Sequence, residues 1–151
     1  MTPTTGVSHE EQRLVLRLMV HWRALAGDRD MPVFADFDPA VVPDIWADSF
    51  LVDARTSPGL VFHALGLHHV DALGRDVSGQ RVTTAGHNTL LGRALSYADK
   101  VLERRVPISL GGQFVDNEGR MRLYRSILLP LEHDGGLALL GAANSRIVVV
   151  D

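Results

Sequence analysis

The seven histidines are the side chains of this chain that could take part in the widest range of chemistry, because imidazole can act as an acid, a base or a metal ligand. His68-His69 with nearby Asp71 has the residue types for acid–base or metal chemistry. Adjacent residues on a helix point about 100° apart, however, and no predicted helix carries two histidines four residues apart, the spacing that places two imidazoles on one ion. We therefore predict no metal site and interpret these histidines as surface residues or polar contacts.

Nucleophilic catalysis has little support in the sequence. The absence of cysteine excludes a thiol nucleophile, a disulfide and a thiolate-bound metal. There is no Gly-x-Ser-x-Gly motif, and the glycine-containing segment 74–79 is not followed by the Gly-Lys-Ser/Thr of a phosphate loop. We predict no catalytic residues.

Two further features suggest ligand chemistry. His87 lies at the start of a predicted helix, and a single axial histidine is sufficient to bind haem iron. Arg122 and Tyr124 share one face of a predicted strand and would hold an anionic or hydrogen-bonding ligand if that face lines a pocket. The sequence does not give the direction of this face, and we interpret Arg122 as a solvated side chain.

Length and charge limit the function classes. The 151 residues suffice for one domain, and 15 basic against 18 acidic residues, a net charge of −3, argue against a dedicated nucleic-acid-binding protein. No apolar run approaches the roughly 18–20 residues that span a bilayer, and the N-terminus does not resemble a signal peptide. We expect a cytoplasmic protein with a flexible tail at residues 1–7 and a single domain over 8–151.

The hydrophobic pattern predicts an α+β fold. Ser8 and Glu11 form a capping-box pattern at the start of a helix over 8–26. Predicted strands follow over 49–55, 60–65, 106–115, 120–131 and 137–149. Between them we predict a short helix over 67–73 and a long helix over 84–104. Gly111-Gly112 suggests a β-bulge. The predicted fold is thus a five-stranded antiparallel sheet with central helices and an N-terminal helix.

Several strands are apolar on both sides, which indicates a sheet that is covered on both faces. By strict alternation, Phe62 and Ala64 share one face of their strand, and Val61 and Leu65 share the other. The central helices can cover one face of the sheet, and the first helix or a second subunit can cover the other. We predict a homodimer formed through the first helix, with the interface residues Leu14, Leu18, Trp22 and Leu25.

With these elements in place, the chain resembles PAS domains, and more narrowly the bacterial PAS_5 family. The resemblance covers about residues 14–147. It is carried by His21-Trp22-Arg23, Met31-Pro32 through Asp38-Pro39, Gly66, the turn Gly74–Gly79, Leu128-Leu129-Pro130-Leu131 and Leu140-Gly141. The chain departs from the family pattern at His63, where an arginine is usual, and at Leu67, where a threonine is frequent.

The resemblance implies a sensory or protein-interaction module, usually dimeric, with a sheet in the order 2-1-5-4-3. We predict a non-catalytic sensor that signals through an unidentified partner protein, with a small ligand bound in its pocket. The predicted ligand-binding residues are Phe62, Ala64, His68, His87, Leu91 and Tyr124. Two alternatives stay open: a haem-binding PAS sensor, and a small NTF2-like enzyme that uses a His–Asp pair.

Overall fold

The structure is a computed structural model that describes residues 9–55 and 59–149, with side chains from residue 13 onward. These residues form five α-helices: α1 (His9–Ala26), α2 (Pro43–Trp46), α3 (Leu67–Leu73), α4 (Leu90–Ala94) and α5 (Ala98–Arg104). The same described part of the chain forms five strands: β1 (Ser49–Asp53), β2 (Val61–Leu65), β3 (Ile108–Val115), β4 (Met121–His133) and β5 (Gly136–Ile147). The predicted tail at 1–7, the capping box at Ser8 and most of the turn at 56–59 lie outside the described residues.

All five strands form one antiparallel sheet in the order β2-β1-β5-β4-β3. This order confirms the predicted α+β architecture and excludes the alternative NTF2-like fold. The β4–β5 hairpin turns at Asp134-Gly135, where both residues have positive φ angles of 46° and 83°. Such a two-residue turn matches the twist of the strands it joins and sets the register of the two longest strands.

The sheet has a hydrophobic cluster on each face, as the two-sided apolar pattern predicts. The helices α4 and α5 lie on the inner face, where Leu91 and Val101 pack with Phe50, Phe62 and Leu128. On the outer face α1 packs against β4 and β5. The sequence left open whether the first helix or a second subunit covers this face. In the structure, the first helix contacts the sheet there.

The residues predicted to form a dimer interface pack inside the chain. Leu14, Leu18 and Trp22 are buried against the outer face, and Leu25 packs partly against the same cluster. The indole Nε1 of Trp22 also donates a hydrogen bond of 2.9 Å to the carbonyl of Pro130. These side chains are therefore not a free surface, which corrects their placement at an interface; the homodimer itself stays a prediction.

The predicted long helix over 84–104 is wrong. The segment is a 3-10 turn over Val82–Ala85 followed by α4 and α5. Gly86 has a φ angle of 80°, outside the helical range, and Thr89 begins α4 by accepting a hydrogen bond from the Gly92 amide. Between α4 and α5, the hydroxyl of Tyr97 reaches the sheet at Ser126, 2.9 Å away. Apolar periodicity alone did not reveal these breaks.

The β-bulge also lies elsewhere than predicted. Gly111 and Gly112 pair with β4 in continuous register, and a Cβ at Gly112 would lie 3.3 Å from the ring of Tyr124. The register shifts instead between β1 and β2, where Leu51 pairs with Ala64 but Val52 pairs with Phe62. Since Leu51 belongs to the outer cluster and Val52 to the inner one, the extra residue puts Ala64 and Phe62 on opposite faces. The prediction that they share a face is therefore wrong.

Candidate functional site

A cleft lies where α3 and α4 meet the ends of β3 and β4, and it encloses about 170 Å³. Its apolar lining comes from α3, α4 and β3: Ala72, Leu73, Leu90, Leu91 and Phe114. Its polar lining comes partly from the turn that joins β3 to β4 and from the start of β4: Asp116, Asn117, Glu118, Arg120 and Arg122. Other elements contribute His69, Asn88, Thr89 and Ser145. The cleft thus combines an apolar body with hydrogen-bonding groups, the composition typical of small-molecule sites.

The polar side of the cleft is organised by Asp116. Its Oδ1 accepts hydrogen bonds from the backbone amides of Glu118 and Arg120, each 2.9 Å long. Its Oδ2 accepts from the Nε of Arg120 at 3.1 Å and from the Nε of Arg122 at 2.8 Å. The Arg120 backbone amide, the Arg122 side chain and the remaining donors together hold the pKa of Asp116 far below its usual range. Asp116 therefore stays ionised and fixes both arginines at the mouth of the cleft.

His69 is the buried polar residue of the cleft, only 2% exposed. Its Nε2 lies 2.8 Å from the backbone carbonyl of Asp48, and its ring contacts Phe50 edge to face. A carbonyl only accepts hydrogen bonds, so Nε2 carries the proton and donates. Burial lowers the pKa of His69, which keeps the ring neutral with a lone pair on Nδ1.

The predicted ligand-binding residues are not all brought together. Leu91 lines the cleft, and Tyr124 is buried edge-on against the cleft residue Phe114, with ring centroids 5.7 Å apart. Phe62 lies in the inner core without lining the cleft, and Ala64 lies on the outer face. Neither one therefore joins Leu91 at this site.

The two predicted histidines also lie apart from the cleft lining. His68 has a 62% exposed side chain, and its Nδ1 lies 2.7 Å from a carboxylate oxygen of Asp48. His87 is exposed in the segment before α4. Of the adjacent pair His68 and His69, the fold buries His69, because it follows His68 by about 100° around α3.

Sequence reasoning missed the turn residues of the cleft. The sequence pattern singles out neither Asp116 nor Glu118 as a ligand-binding residue, and it favours a solvated Arg122. Arg122 in fact lines the cleft and is tied to Asp116 and to Ser145 on the neighbouring strand. Alternation along the strand already places Arg122 on the same face as Tyr124. The sequence does not show that this face points toward the cleft.

The two residues that depart from the family pattern, His63 and Leu67, both lie outside the cleft. His63 is exposed, and its ring contacts Phe34 edge to face at 4.9 Å, in the 3-10 turn after α1. Leu67 begins α3 and is 64% exposed. Neither lines the cleft, so the changed residues do not alter its described lining.

Over residues 9–55 and 59–149, no group of three or more His, Cys, Asp or Glu side chains is placed to hold a metal ion. Within the same part of the chain, no helix is long and apolar enough to cross a membrane.

Comparison with solved structures gives matches to PAS and light-oxygen-voltage domains. A light-oxygen-voltage domain whose mechanism was studied with a flavin analogue is 14% identical, with a TM-score of 0.51 over 73% of this chain and 83% of that one. The PAS domain of BvgS from Bordetella pertussis is 17% identical, with a TM-score of 0.43 over 76% and 87% of the two chains. A PAS domain from a two-component sensor histidine kinase is 11% identical, with a TM-score of 0.44 over 65% and 83%. At these identities the first match supports the fold alone.

The search of curated proteins found no match. The family assignment therefore rests on the sequence pattern. The PAS domain family model PAS_5 matches residues 11–143, close to the range over which the chain resembles that family. The chain belongs to the PAS_5 family of PAS domains.

Proposed function

We propose that this PAS domain is a non-catalytic sensor module that binds a small ligand in the cleft described above and passes the change to a partner protein. The observation that carries the proposal is the cleft itself, where buried Leu91, Phe114 and His69 meet the fixed polar groups of the β3–β4 turn. A mixed lining of this kind supports reversible binding of a molecule with an apolar body and a polar end.

The size of the cleft limits the ligand. Its 170 Å³ is below the roughly 300–1,000 Å³ of sites for drug-sized molecules and cofactors. The flavin of the light-oxygen-voltage relative, and haem, are both too large for it. His87, the predicted haem ligand, is also exposed and outside the cleft lining. The residues present therefore do not fit haem, and we propose a smaller ligand.

The state of the titratable groups supports a binding role rather than catalysis. Both oxygens of Asp116 are occupied by four donors, so this carboxylate has little basicity to offer. The Nε2 proton of His69 is committed to the carbonyl of Asp48. The remaining ring nitrogen, Nδ1, is a weaker base than an exposed imidazole, because burial lowers the pKa of His69.

The fold offers a route from the cleft to the opposite surface. Helix α4 lines the cleft and contacts β4 and β5, and the other face of these strands contacts α1. A ligand that binds two arrangements of α4 with different affinity would shift the packing of the sheet and of α1. We expect this change to reach the partner protein through α1.

Native mass spectrometry of the purified protein tests ligand binding. We expect the wild type to carry a bound small molecule, and Ala72→Trp to lose it, because the indole would fill the cleft from α3. Ala24→Trp is the matched control, since Ala24 is exposed on α1 away from the cleft, and this variant keeps the ligand. A bound species retained equally by both variants would place the site elsewhere and contradict the proposal.

Hydrogen exchange tests the transmission step. Ligand binding is expected to slow amide exchange in α1 as well as in α3 and α4, because the sheet couples them. If exchange changes only around the cleft, signalling through α1 is wrong.

The homodimer is a separate part of the proposal. With Leu14, Leu18 and Trp22 buried in the chain, we propose that the outward residues Leu16 and Val20 make the contact between protomers. Light scattering is expected to give a dimer for the wild type and a monomer for the double variant Leu16→Glu/Val20→Glu. A monomeric wild type, or a double variant that stays dimeric, contradicts this contact.

A further inference from the structure

The hydrogen bonds within the cleft determine which donors and acceptors remain free for a ligand. Two acceptor groups on its polar side, the Asp116 carboxylate and the Thr89 hydroxyl, are already used. Asp116 takes four hydrogen bonds, and the hydroxyl oxygen of Thr89 accepts from the Gly92 amide while donating to the Gly86 carbonyl. A ligand that offers donors therefore finds little free capacity at these two residues.

Donors, in contrast, remain available at Arg122 and Ser145. An arginine has five N–H donors. Arg122 uses its Nε–H on Asp116 and one Nη1–H on the hydroxyl oxygen of Ser145, 3.2 Å away, which leaves three N–H groups without an acceptor among the described residues. The Ser145 hydroxyl accepts that bond, and its own hydrogen has no acceptor within the same part of the chain.

The position of Arg122 suits a planar acid. Its side chain is only 24% exposed and is held through Nε, so the two terminal nitrogens are presented in a fixed orientation. A guanidinium fork of this kind pairs with the two oxygens of a carboxylate through parallel hydrogen bonds. The buried Phe114 and Leu91 of the same cleft provide an apolar surface for the remainder of such a molecule.

We propose that the cleft recognises a small carboxylic acid, with its carboxylate on the terminal nitrogens of Arg122 and the hydroxyl of Ser145, and its hydrocarbon part against Phe114 and Leu91. The proposal rests on the proposed function and names its ligand class. The volume of 170 Å³ suits a short-chain acid. Because Asp116 and Glu118 balance Arg120 and Arg122 in charge, recognition depends on hydrogen-bond geometry more than on net attraction.

Isothermal titration of the full chain with butanoate, butanamide and inorganic phosphate tests the ligand class. Butanamide matches butanoate in size but has one acceptor oxygen and no charge, and phosphate is an oxyanion without an apolar part. We expect butanoate to bind about tenfold or more tightly than either probe, the loss typical of one missing charged hydrogen bond. Equal binding of butanoate and butanamide, tighter binding of phosphate, or no binding of butanoate would overturn the proposal.

Variants test the two donors. Arg122→Lys keeps the charge but loses the fork, and we expect butanoate to bind about tenfold more weakly. Arg104→Lys, at an exposed position on α5, is the matched control and is expected to bind as the wild type. Ser145→Ala removes a single hydroxyl, leaves the Asp116–Arg122 pair intact, and is expected to weaken binding severalfold. Unchanged affinity in both cleft variants contradicts the proposal.

The outcomes also separate this inference from the proposed function. If native mass spectrometry finds a ligand that Ala72→Trp excludes but that has no carboxylate, the ligand class is wrong and the sensor proposal stands. If the wild type and Ala72→Trp bind butanoate equally, both the cleft and this assignment are wrong.

Discussion

At the scale of single residues, two neighbouring histidines show how the fold assigns different roles to the same side chain. His68 is 62% exposed and pairs with the carboxylate of Asp48, whereas His69 is buried and donates to the backbone carbonyl of the same residue. Asp48, which directly precedes β1, thereby contacts α3 through its carboxylate and through its backbone carbonyl. A sequence that reads His-His gives no indication of which ring is buried, because that depends on the rotation of a seven-residue helix.

Burial of His69 predicts a pH-dependent stability. Its pKa in the folded state lies below the value of 6.5 for an unfolded chain, so the unfolded state binds more protons as the pH falls. The contribution is complete above pH 6.5 and is lost as the pH falls from that value toward the lower pKa of the folded state. We expect the free energy of unfolding in urea to decrease as the pH falls below about 6.5, by at most about 1.4 kcal/mol per pH unit.

Two variants assign that dependence. His69→Gln should show a flatter profile, since glutamine can still donate to the Asp48 carbonyl but does not titrate. His68→Gln, at the exposed neighbouring position, should keep most of the slope. The assignment to His69 is wrong if His69→Gln keeps the slope and His68→Gln flattens it.

At the scale of elements, the junction between β2 and α3 is set by a close backbone contact. Gly66 ends the strand and precedes the helix, its amide donates to the Ser49 carbonyl at 2.8 Å, and the amide of His68 donates to Ala47 at 3.0 Å. A Cβ at Gly66 would overlap the carbonyl oxygen of Trp46. Glycine is therefore required here for space rather than for an unusual φ angle, and its position fixes α3 beside the cleft.

Gly66→Ala is expected to lower the free energy of unfolding by about 3 kcal/mol or more, because rigid backbone atoms cannot move away from the new methyl group. Gly59→Ala is the matched control, since a Cβ there meets no atom within 4 Å and the variant should be close to wild type. Urea unfolding measures both. A Gly66→Ala protein as stable as the control would show that the junction can shift.

At the scale of the whole molecule, the sheet is stable because it is covered on both sides. The inner cluster lies under α4 and α5, and the outer cluster lies under α1. Removal of water from both faces provides the main driving force for a single-sheet domain of this size. Helix α1 therefore has a structural role in the monomer besides any role in signalling.

Two leucines on α1 test this role. Leu18 is fully buried against the sheet, whereas Leu16 is 64% exposed. Leu18→Ala is expected to lower the free energy of unfolding by about 2–5 kcal/mol, and Leu16→Ala by less than about 0.5 kcal/mol in the monomer. Equal losses, measured by urea unfolding at low protein concentration, would mean that α1 does not cover the sheet as described.

The sequence predicted well those features that depend on local pattern. The first helix, the hairpin 49–65, α3 and the three C-terminal strands follow from apolar periodicity and turn residues, and the sheet order followed from the family resemblance. The break at Tyr97, the bulge at His63 and the inward direction of Arg122 depend on contacts between elements. Those contacts bring Ser126 to Tyr97, β1 to β2 and Asp116 to Arg122, and apolar periodicity does not contain them.

The central claim is that the cleft between α3, α4 and the β3–β4 turn is where this domain binds its ligand. Nuclear magnetic resonance of the ¹⁵N-labelled protein with a set of small organic fragments at about millimolar concentration, the range of weak fragment affinities, tests it most directly. We predict that binding fragments shift the amide signals of His69, Leu91, Phe114 and Arg122, and that Ala72→Trp abolishes these shifts. Fragments that bind with shifts confined to other regions, or a complete set that leaves the four signals unmoved, would contradict the account.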